Sequence, residues 1–255
     1  MKIVEIAKRL YRSSPADLVG RIKRVFAADF KKDEQPELMD FYPDDFKIII
    51  ANIGKFGSPG AAKRGETKDE LIAIVDVPRS LILHEFCKLC LPIEGDIAEC
   101  GVYKGGTAFV LANVLKHSGS DKQLHLFDSF TGLPDTLPVD GKHKKGDFGD
   151  ASLNVLKKRL HGYDYKAYAG FFENTLNEVS KLHFCFVHID VDIYSAAKEC
   201  TEFFYPRLKK GGIIVYDDYG FGSTKGVKLA VEEFYKTKPE KPVVLPTKQC
   251  IIIKK

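Results

Sequence analysis

From residue 96 onward, apolar and polar positions settle into a regular alternation of short apolar runs and longer amphipathic ones. "DIAEC" (96–100), "QLHLFD" (123–128), "KAYAG" (166–170), "HFCFVHID" (183–190) and "IIVYDD" (213–218) are compact apolar runs, the pattern of strands buried on both faces. Between and after them, "GGTAFVLANVLKHSG", "ASLNVLKKRLHG", "FFENTLNEVSK", "YSAAKECTEFFYPRLKKGG" and "TKGVKLAVEEFYK" carry helical spacing, several closed by glycine. Strands alternating with helices predict an α/β, Rossmann-like fold: a mainly parallel sheet covered on both faces. The closing "PVVLPTKQCIIIKK" predicts two strands about a turn, and therefore an antiparallel edge strand.

The N-terminal part does not follow this alternation. "SSPADLVGRIKRVFAADF" predicts a helix capped by Ser14 with Pro15 in its first turn. "DDFKIIIANIGKFGSPGAAKRGE" is an apolar run, helix or strand, followed by a Gly/Pro/Lys loop. "VPRSLILHEFCKLCL" has helical spacing with Leu83, Phe86, Cys90 and Leu91 inward. We therefore divide the chain into a helical N-terminal extension, residues 1–90, and an α/β domain, residues 91–255. Ile3, Ile6 and Leu10 share one face of an N-terminal basic amphipathic helix. Packing on its own domain is the simpler role for that face, and a membrane surface the other.

Four of these five strands end in or beside acidic residues: Glu99, Asp128, Asp190, and the pair Asp217 and Asp218. Ligands of open α/β sheets bind beyond the carboxyl ends of the strands. Carboxylates gathered on one such rim repel one another unless a cation or hydrogen-bond donors offset them.

Composition narrows the partners. The chain has 39 basic and 35 acidic residues, net +4, too small an excess for a nucleic-acid binder. No apolar stretch approaches the roughly 18 residues of a membrane span. Glu5 and Lys8 interrupt the opening apolar run, which is not the pattern of a secretory signal. The six cysteines are then expected to be reduced thiols in a cytoplasm. Cys87 and Cys90 form a C-x-x-C without a second pair at zinc spacing, so they read as core residues.

The stretch "IAECGVYKGGT" (97–107) holds the first candidate chemistry. Gly101, Gly105 and Gly106 permit a sharp turn and close approach of a ligand, and the next helix offers free N–H groups. The spacing is G-x-x-x-G-G, not the G-x-G-x-x-G of dinucleotide sites. Glu99 would also set a negative charge beside a pyrophosphate. S-adenosylmethionine, with a sulfonium, an ammonium and no phosphate, suits the loop. Asp128 can accept hydrogen bonds from both ribose hydroxyls. The second constellation is "HIDVDIY" with "IVYDDYG". Strands about 4.8 Å apart let Asp190, Asp217 and Asp218 share one hard divalent cation such as Mg²⁺. Asp192 completes the set or acts as general base.

These blocks, "AECGVYKGGTAFVLANVL", "LFDSFTGLPD", "GFFENTL" and "HIDVDIYSAAKECTEFFYPRLKKGGIIVYDDYG", resemble the macrocin O-methyltransferase-like (TylF/MycF-type) family over about residues 90–235. The resemblance implies a class I methyltransferase fold with a seven-stranded sheet. It further implies S-adenosylmethionine- and metal-dependent methylation of hydroxyls on sugars and glycosylated small molecules, and a homo-oligomer. It assigns Glu99, Gly101, Lys104, Gly105 and Thr107 to the cofactor loop, Asp128 and Ser129 to the ribose, and Phe171 or Phe172 to the adenine. Asp190, Asp217 and Asp218 match its metal ligands, and the Asp190/Asp192 motif carries the base. Residues 1–90 and the loop "TGLPDTLPVDGKHKKGDFGD" (131–150) are expected to shape the acceptor pocket; His143 either contacts the acceptor or, more simply, is solvated, and Lys142, Lys144 and Lys145 form a solvated tip or meet an anionic acceptor. Two other readings remain. "YSAAK" sets Tyr194 four residues before Lys198, the spacing of short-chain dehydrogenases. A non-catalytic binding module on the same fold is the second.

Overall fold

The computed structural model describes residues 42–53 and 75–255. The predicted helices before residue 42 and the loop of residues 54–74 lie outside the described residues. By internal contacts the chain divides into Met1–Lys47 and Ile48–Lys255. The apolar run left open by its periodicity is a helix, α1 (Asp44–Ile53), with Asp44 and Asp45 in its first turn, where the helix dipole favours acids.

In the larger unit, α2 (Val77–Cys90) starts at Asp76, whose carboxylate accepts the Arg79 amide at 3.0 Å. Pro78 occupies its first turn, where a missing N–H costs nothing. The alternation then follows the predicted order: β1 (Asp96–Cys100), α3 (Gly106–Ser118), β2 (Leu124–Asp128), α4 (Leu153–Arg159), β3 (Lys166–Ala169), α5 (Phe172–Thr175), β4 (Phe184–Ile189), α6 (Tyr194–Phe204), β5 (Leu208–Tyr216), α7 (Lys225–Tyr235), β6 (Val243–Val244) and β7 (Cys250–Ile253), although the helix expected through "FFENTLNEVSK" is one α-helical turn followed by a 3-10 turn (Leu176–Val179). The seven strands form one sheet in the order β3-β2-β1-β4-β5-β7-β6. β1 to β5 pair in parallel, β7 runs antiparallel to β5, and β6 lies outside it at the edge. Strand order reverses between β1 and β4, the switch point at which such sheets bind ligands.

Strand alternation divides the core into two faces. Ala98, Cys100, Val187, Ile189, Ile214 and Tyr216 pack against α6 and α7. The intervening residues, among them Ile97, Glu99, His188 and Val215, point to the face that α2 and α3 cover. All six cysteines are buried and unpaired, as expected of core thiols. Leu91, expected inward, is only partly buried, because α2 ends at Cys90. The predicted helix through "YPRLKKGG" stops early: Pro206 lacks the N–H to continue it, and Tyr205–Arg207 form one 3-10 turn into β5.

One glycine fixes the spacing of the rim. Gly101 leaves β1 at φ +85, and a Cβ there would stand 1.7 Å from the Asp190 carbonyl oxygen. Its amide donates to Phe127 O and the Asp190 amide donates to Cys100 O, each at 2.9 Å, so the exits of β1, β2 and β4 are sewn together. Gly101→Ala should therefore cost about 3 kcal/mol or more in urea unfolding, from a left-handed backbone penalty of roughly 1–2 and overpacking of roughly 1–3. Gly119→Ala, also at positive φ but with open space around it, should cost only about 1–2 kcal/mol.

Candidate active site

The rim acids separate into two tiers. Below the rim, on the α2 face, Glu99 of β1 sits in direct register with His188 of β4. Their side chains meet at 2.9 Å between Oε1 and Nδ1, both fully buried. His188 Nε2 lies 3.7 Å from Asp217 Oδ1, an electrostatic contact too long for a hydrogen bond. Asp217 continues the parity of Val215 beyond β5 and is itself buried. Its Oδ2 accepts from Arg79 Nη1, and its Oδ1 accepts from Gln249 Nε2 at 2.8 Å. Two acids thus alternate with two cations, Glu99–His188–Asp217–Arg79. Burial alone would lower the His188 pKa, but Asp217 and Glu99 outweigh it and raise it to about 9. Burial pushes the Asp217 carboxyl up, yet His188, Arg79 and Gln249 hold it below the ordinary carboxylate range.

Above this tier, one carboxylate oxygen from each of Asp190, Asp192 and Asp218 lies within 4.8 Å of the others. Asp218, next in the chain after Asp217, points the other way, as consecutive residues of an extended strand do. Its Oδ2 accepts the Asp192 amide at 2.9 Å. That bond holds Asp192 at φ +61, a left-handed conformation that aspartate tolerates better than most residues. Burial, then repulsion from Asp217, Asp218 and Asp192, pushes Asp190 well above the usual range. Asp192 is raised by burial and by Asp218 and Asp217, and Asp218 rises to about 6 through burial and Asp217.

A cavity of about 520 Å³ opens between this cluster and the glycine loop. Gly101, Val102, Thr107, Asp128, Ser129, Phe171 and Phe172 line one part, and Asp190, Asp192 and Asp218 another. Asp128 is first a builder of the loop: its Oδ2 accepts the Val102 and Tyr103 amides at 2.8 Å each, and its Oδ1 accepts the Phe130 amide at 2.7 Å. Burial still outweighs these bonds and leaves its pKa raised. Ser129 likewise shapes its own turn, donating to Gly132 O at 2.8 Å.

Several expected site residues stand elsewhere. Glu99 lies beneath the cavity rather than in its lining, because its strand parity turns it toward His188. Lys104 Nζ donates to Asp150 at 2.9 Å, and Gly105 makes room for Leu156 of α4, so both lock the loop from behind. Asp217, expected to share an ion with Asp190 and Asp218, is drawn into the lower tier. The loop of residues 131–150 does form cavity wall, through Gly132, Leu133, Pro134, Asp135, Lys145 and Phe148. Within it, His143 is mostly buried, with Nε2 3.9 Å from Asp192 Oδ1, rather than on a solvated tip. Neither Tyr194 nor Lys198 lines the cavity; Tyr194 Oη donates to Glu233 at 2.7 Å, which removes the basis of a dehydrogenase reading.

Comparison with known proteins bears on the family and the fold. The family model Macrocin-O-methyltransferase (TylF) matches residues 89–248. The chain belongs to this family. Among curated relatives it is 27% identical over 142 residues to mycinamicin III 3''-O-methyltransferase of Micromonospora griseorubida, covering 50% of this chain and 56% of the relative. It is 26% identical over 141 residues to demethyldecarbamoylnovobiocin O-methyltransferase of Streptomyces niveus, covering 50% and 53%. The chain spans about half the length of the curated relatives it matches. The solved O-methyltransferase NovP superposes with a TM-score of 0.67 at 16% identity, covering 87% of this chain and 99% of that one. CalS11, a calicheamicin methyltransferase, gives 0.61 at 17% identity, covering 95% and 94%. Both show that the fold is that of the O-methyltransferases. Among the described residues no helix is long and apolar enough to cross a membrane.

Sequence reasoning passed over Arg79 and His188. His188 had a signal: a lone histidine two residues before Asp190 inside an apolar strand. Arg79 had none, being 138 residues from Asp217. Because the His188 pKa is raised to about 9, its stabilising charge is fully present below the unfolded value and is lost as pH rises through the folded one. The stability gap between the native protein and His188→Gln should be largest near pH 6. It should shrink by on the order of 3 kcal/mol toward pH 10 in urea titrations.

Proposed function

We propose that this protein is an S-adenosylmethionine-dependent O-methyltransferase acting on a hydroxyl of a sugar or glycosylated small molecule. A divalent cation such as Mg²⁺ assists, and S-adenosylhomocysteine is released. One observation carries the reading: a single cavity is walled by the glycine loop with Asp128 and the two phenylalanines, and also by three clustered carboxylates. A further relative, 8-demethyl-8-(2,3-dimethoxy-alpha-L-rhamnosyl)-tetracenomycin-C 4'-O-methyltransferase of Streptomyces olivaceus, 25% identical over 146 residues, supports the reaction and, through its rhamnosyl group, the acceptor class. Solved neighbours of the same fold include an O-methyltransferase from Bacillus cereus in complex with S-adenosylhomocysteine, at a TM-score of 0.51 and 12% identity. Homo-oligomeric assembly and a cytoplasmic setting belong to the same proposal; the resemblance supports the first and six unpaired buried thiols the second.

The donor set fits a hard cation. Asp190, Asp192 and Asp218 offer only oxygen, and burial together with repulsion from neighbouring acids holds their carboxyl groups above the ordinary range. These three carboxylates would hold a divalent ion, whose Lewis acidity would make an acceptor hydroxyl more acidic. The chain's own residues do the rest. Gly101, Val102 and Thr107 would set backbone against the methyl donor, and Phe171 or Phe172 would lie at its adenine; all five line the cavity. Asp192 would take the acceptor proton on the carboxylate oxygen that the ion leaves free, and His143 Nε2 stands 3.9 Å from its Oδ1. The freed oxygen pair forms the O–CH₃ bond as the C–S bond breaks, and the electrons leave with a neutral thioether. Holding oxygen and methyl carbon in near-attack geometry supplies most of the acceleration.

Asp192→Asn should lower kcat by ~10²–10⁴, the usual contribution of a general base. Calorimetric affinity for S-adenosylhomocysteine should stay within about threefold of the native protein, since the aspartate touches the acceptor side. A coupled assay for S-adenosylhomocysteine release across a panel of glycosides reads the turnover. Undiminished release in excess chelator would remove the cation from the proposal, and absence of any S-adenosylmethionine binding would end it.

A further inference from the structure

The pole of the sheet opposite the cavity carries a concentration of positive charge. The cavity lies beyond the carboxyl ends of the strands, whereas β4 and β5 begin, and α6 and α7 end, at the other pole. Four segments meet there: residues 180–183, 205–212, 236–241 and 254–255. They hold eight lysines, one arginine and a single acid, Glu240. That acid is buried, accepting from the Tyr205 hydroxyl at 2.7 Å and the Lys255 amide at 3.0 Å. We propose that this pole is a docking face for an anionic lipid bilayer, attracted by lysines that carboxylates leave uncompensated, with the cavity turned toward water. Such docking is independent of the methyl-transfer reading.

Side-chain contacts draw the four segments into one patch. Lys254 Nζ stands 3.2 Å from the centre of the Tyr205 ring, and Lys238 Nζ stands 5.2 Å from the same ring and 5.1 Å from that of Phe234. Arg207 Nε donates to Ser180 O at 3.0 Å, beside Lys181. Lys241 and Lys255 donate to the carbonyls of Tyr235 and Pro239, each at 3.0 Å. Rings and carbonyls therefore hold these cations, and neither neutralises them. Among the described residues only Lys209 of the nine forms a side-chain ion pair, with Glu94 at 3.2 Å. Lys181, Lys210 and Lys236 are exposed. Burial and repulsion from Lys238 outweigh Glu240 and hold Lys254 below the ordinary lysine range. The balance of residue types selects the kind of anion. Protein interfaces are depleted in lysine, and planar arginine is what grips discrete phosphates and carboxylates. Here the one arginine spends its guanidinium on Ser180 O and Phe203 O. Lysines, point charges on flexible stems, suit a diffuse layer of headgroup phosphates that demands no register. Exposed Pro206 and Pro239, with partly buried Phe203 and Phe234, set apolar surface beside them.

The test is co-sedimentation of the full chain with sucrose-loaded vesicles, of phosphatidylcholine alone or with about 30% phosphatidylglycerol. Partition into the anionic vesicles should exceed that into the neutral ones by about tenfold or more, and should fall by about tenfold or more between about 50 and about 500 mM salt. The variant Lys181→Glu/Lys210→Glu/Lys236→Glu should lose about tenfold or more of that partition. Lys157→Glu/Lys158→Glu/Lys198→Glu changes the net charge equally, at exposed positions elsewhere, and should stay within about threefold of the native protein. Circular dichroism reports folding; should the first variant not fold, Lys→Gln at the same three positions is read in its place, with a loss of about threefold or more expected. Equal partition into neutral and anionic vesicles, or none into either, overturns the proposal. So does a patch variant that binds as the native chain does, which puts the contact elsewhere in the chain, or a control that loses as much as the patch variant. Retention on heparin or duplex DNA at salt that strips the protein from vesicles assigns the patch to another polyanion and also overturns it. The methyl-transfer reading fails by a different sign, no S-adenosylhomocysteine release from any glycoside, which leaves the vesicle results standing.

Discussion

Burying negative charge at the ends of parallel strands is the constraint on which this structure turns. A carboxylate removed from water must find a cation or a set of donors, or else lose its charge. The protein meets that demand in three ways. Glu99 and Asp217 are set against His188 and Arg79 in a charge-balanced chain beneath the rim. Asp128 is given three backbone amides. Asp190, Asp192 and Asp218 receive much less, and they are the acids that share a cavity wall. The boundary between structural and chemical acids is thus a boundary between satisfied and unsatisfied charge.

The satisfied acids give the site its shape. The Glu99–His188 pair links β1 to β4 at the switch point of the sheet, where the two exits must diverge to open a crevice. Asp128 reaches from β2 to gather the amides of the loop after β1. Gly101 lets that loop press on the carbonyl of Asp190 without a side chain between them. Glycine-loop backbone and acidic cluster are therefore fixed relative to one another through β1, β2 and β4, with no dependence on a flexible connection. Such rigidity is what a reaction governed by the placement of two reacting atoms requires.

The loop of residues 131–150 closes the other side by a different logic. It has few residues in regular structure and holds itself by local bonds, such as Leu137 N to Asp140 at 2.8 Å and Lys144 N to Asp147 at 2.9 Å. One of its residues, Asp140, is buried and accepts the Tyr194 amide at 2.7 Å, anchoring the loop at the start of α6. His143 and Phe148 are thereby carried to the cluster and the cavity wall. Under the proposed function, the acceptor would be selected by a segment of this kind, since loops vary while the strands beneath them hold their positions.

Read on its own, the chain disclosed its sheet, most of its helices and the region of its site. Those are matters of period and punctuation: apolar runs, helical spacing, glycine stops, and acids where strands end. Local chemistry was legible for the same reason, because Gly101, Asp128, Asp190 and Asp218 owe their places to the strands that carry them. Direction was harder. Asp217 and Asp218 are neighbours in sequence yet serve opposite faces, and Glu99 faces the interior by parity with His188. Only the tertiary structure decided which acids meet solvent space and which meet a partner. It brought Arg79 to Asp217 across 138 residues and His143 to the side of Asp192. The sum of acids on the rim was written in the one-dimensional pattern; their neutralisation depended on cations from α2 and β4 that no local period announces.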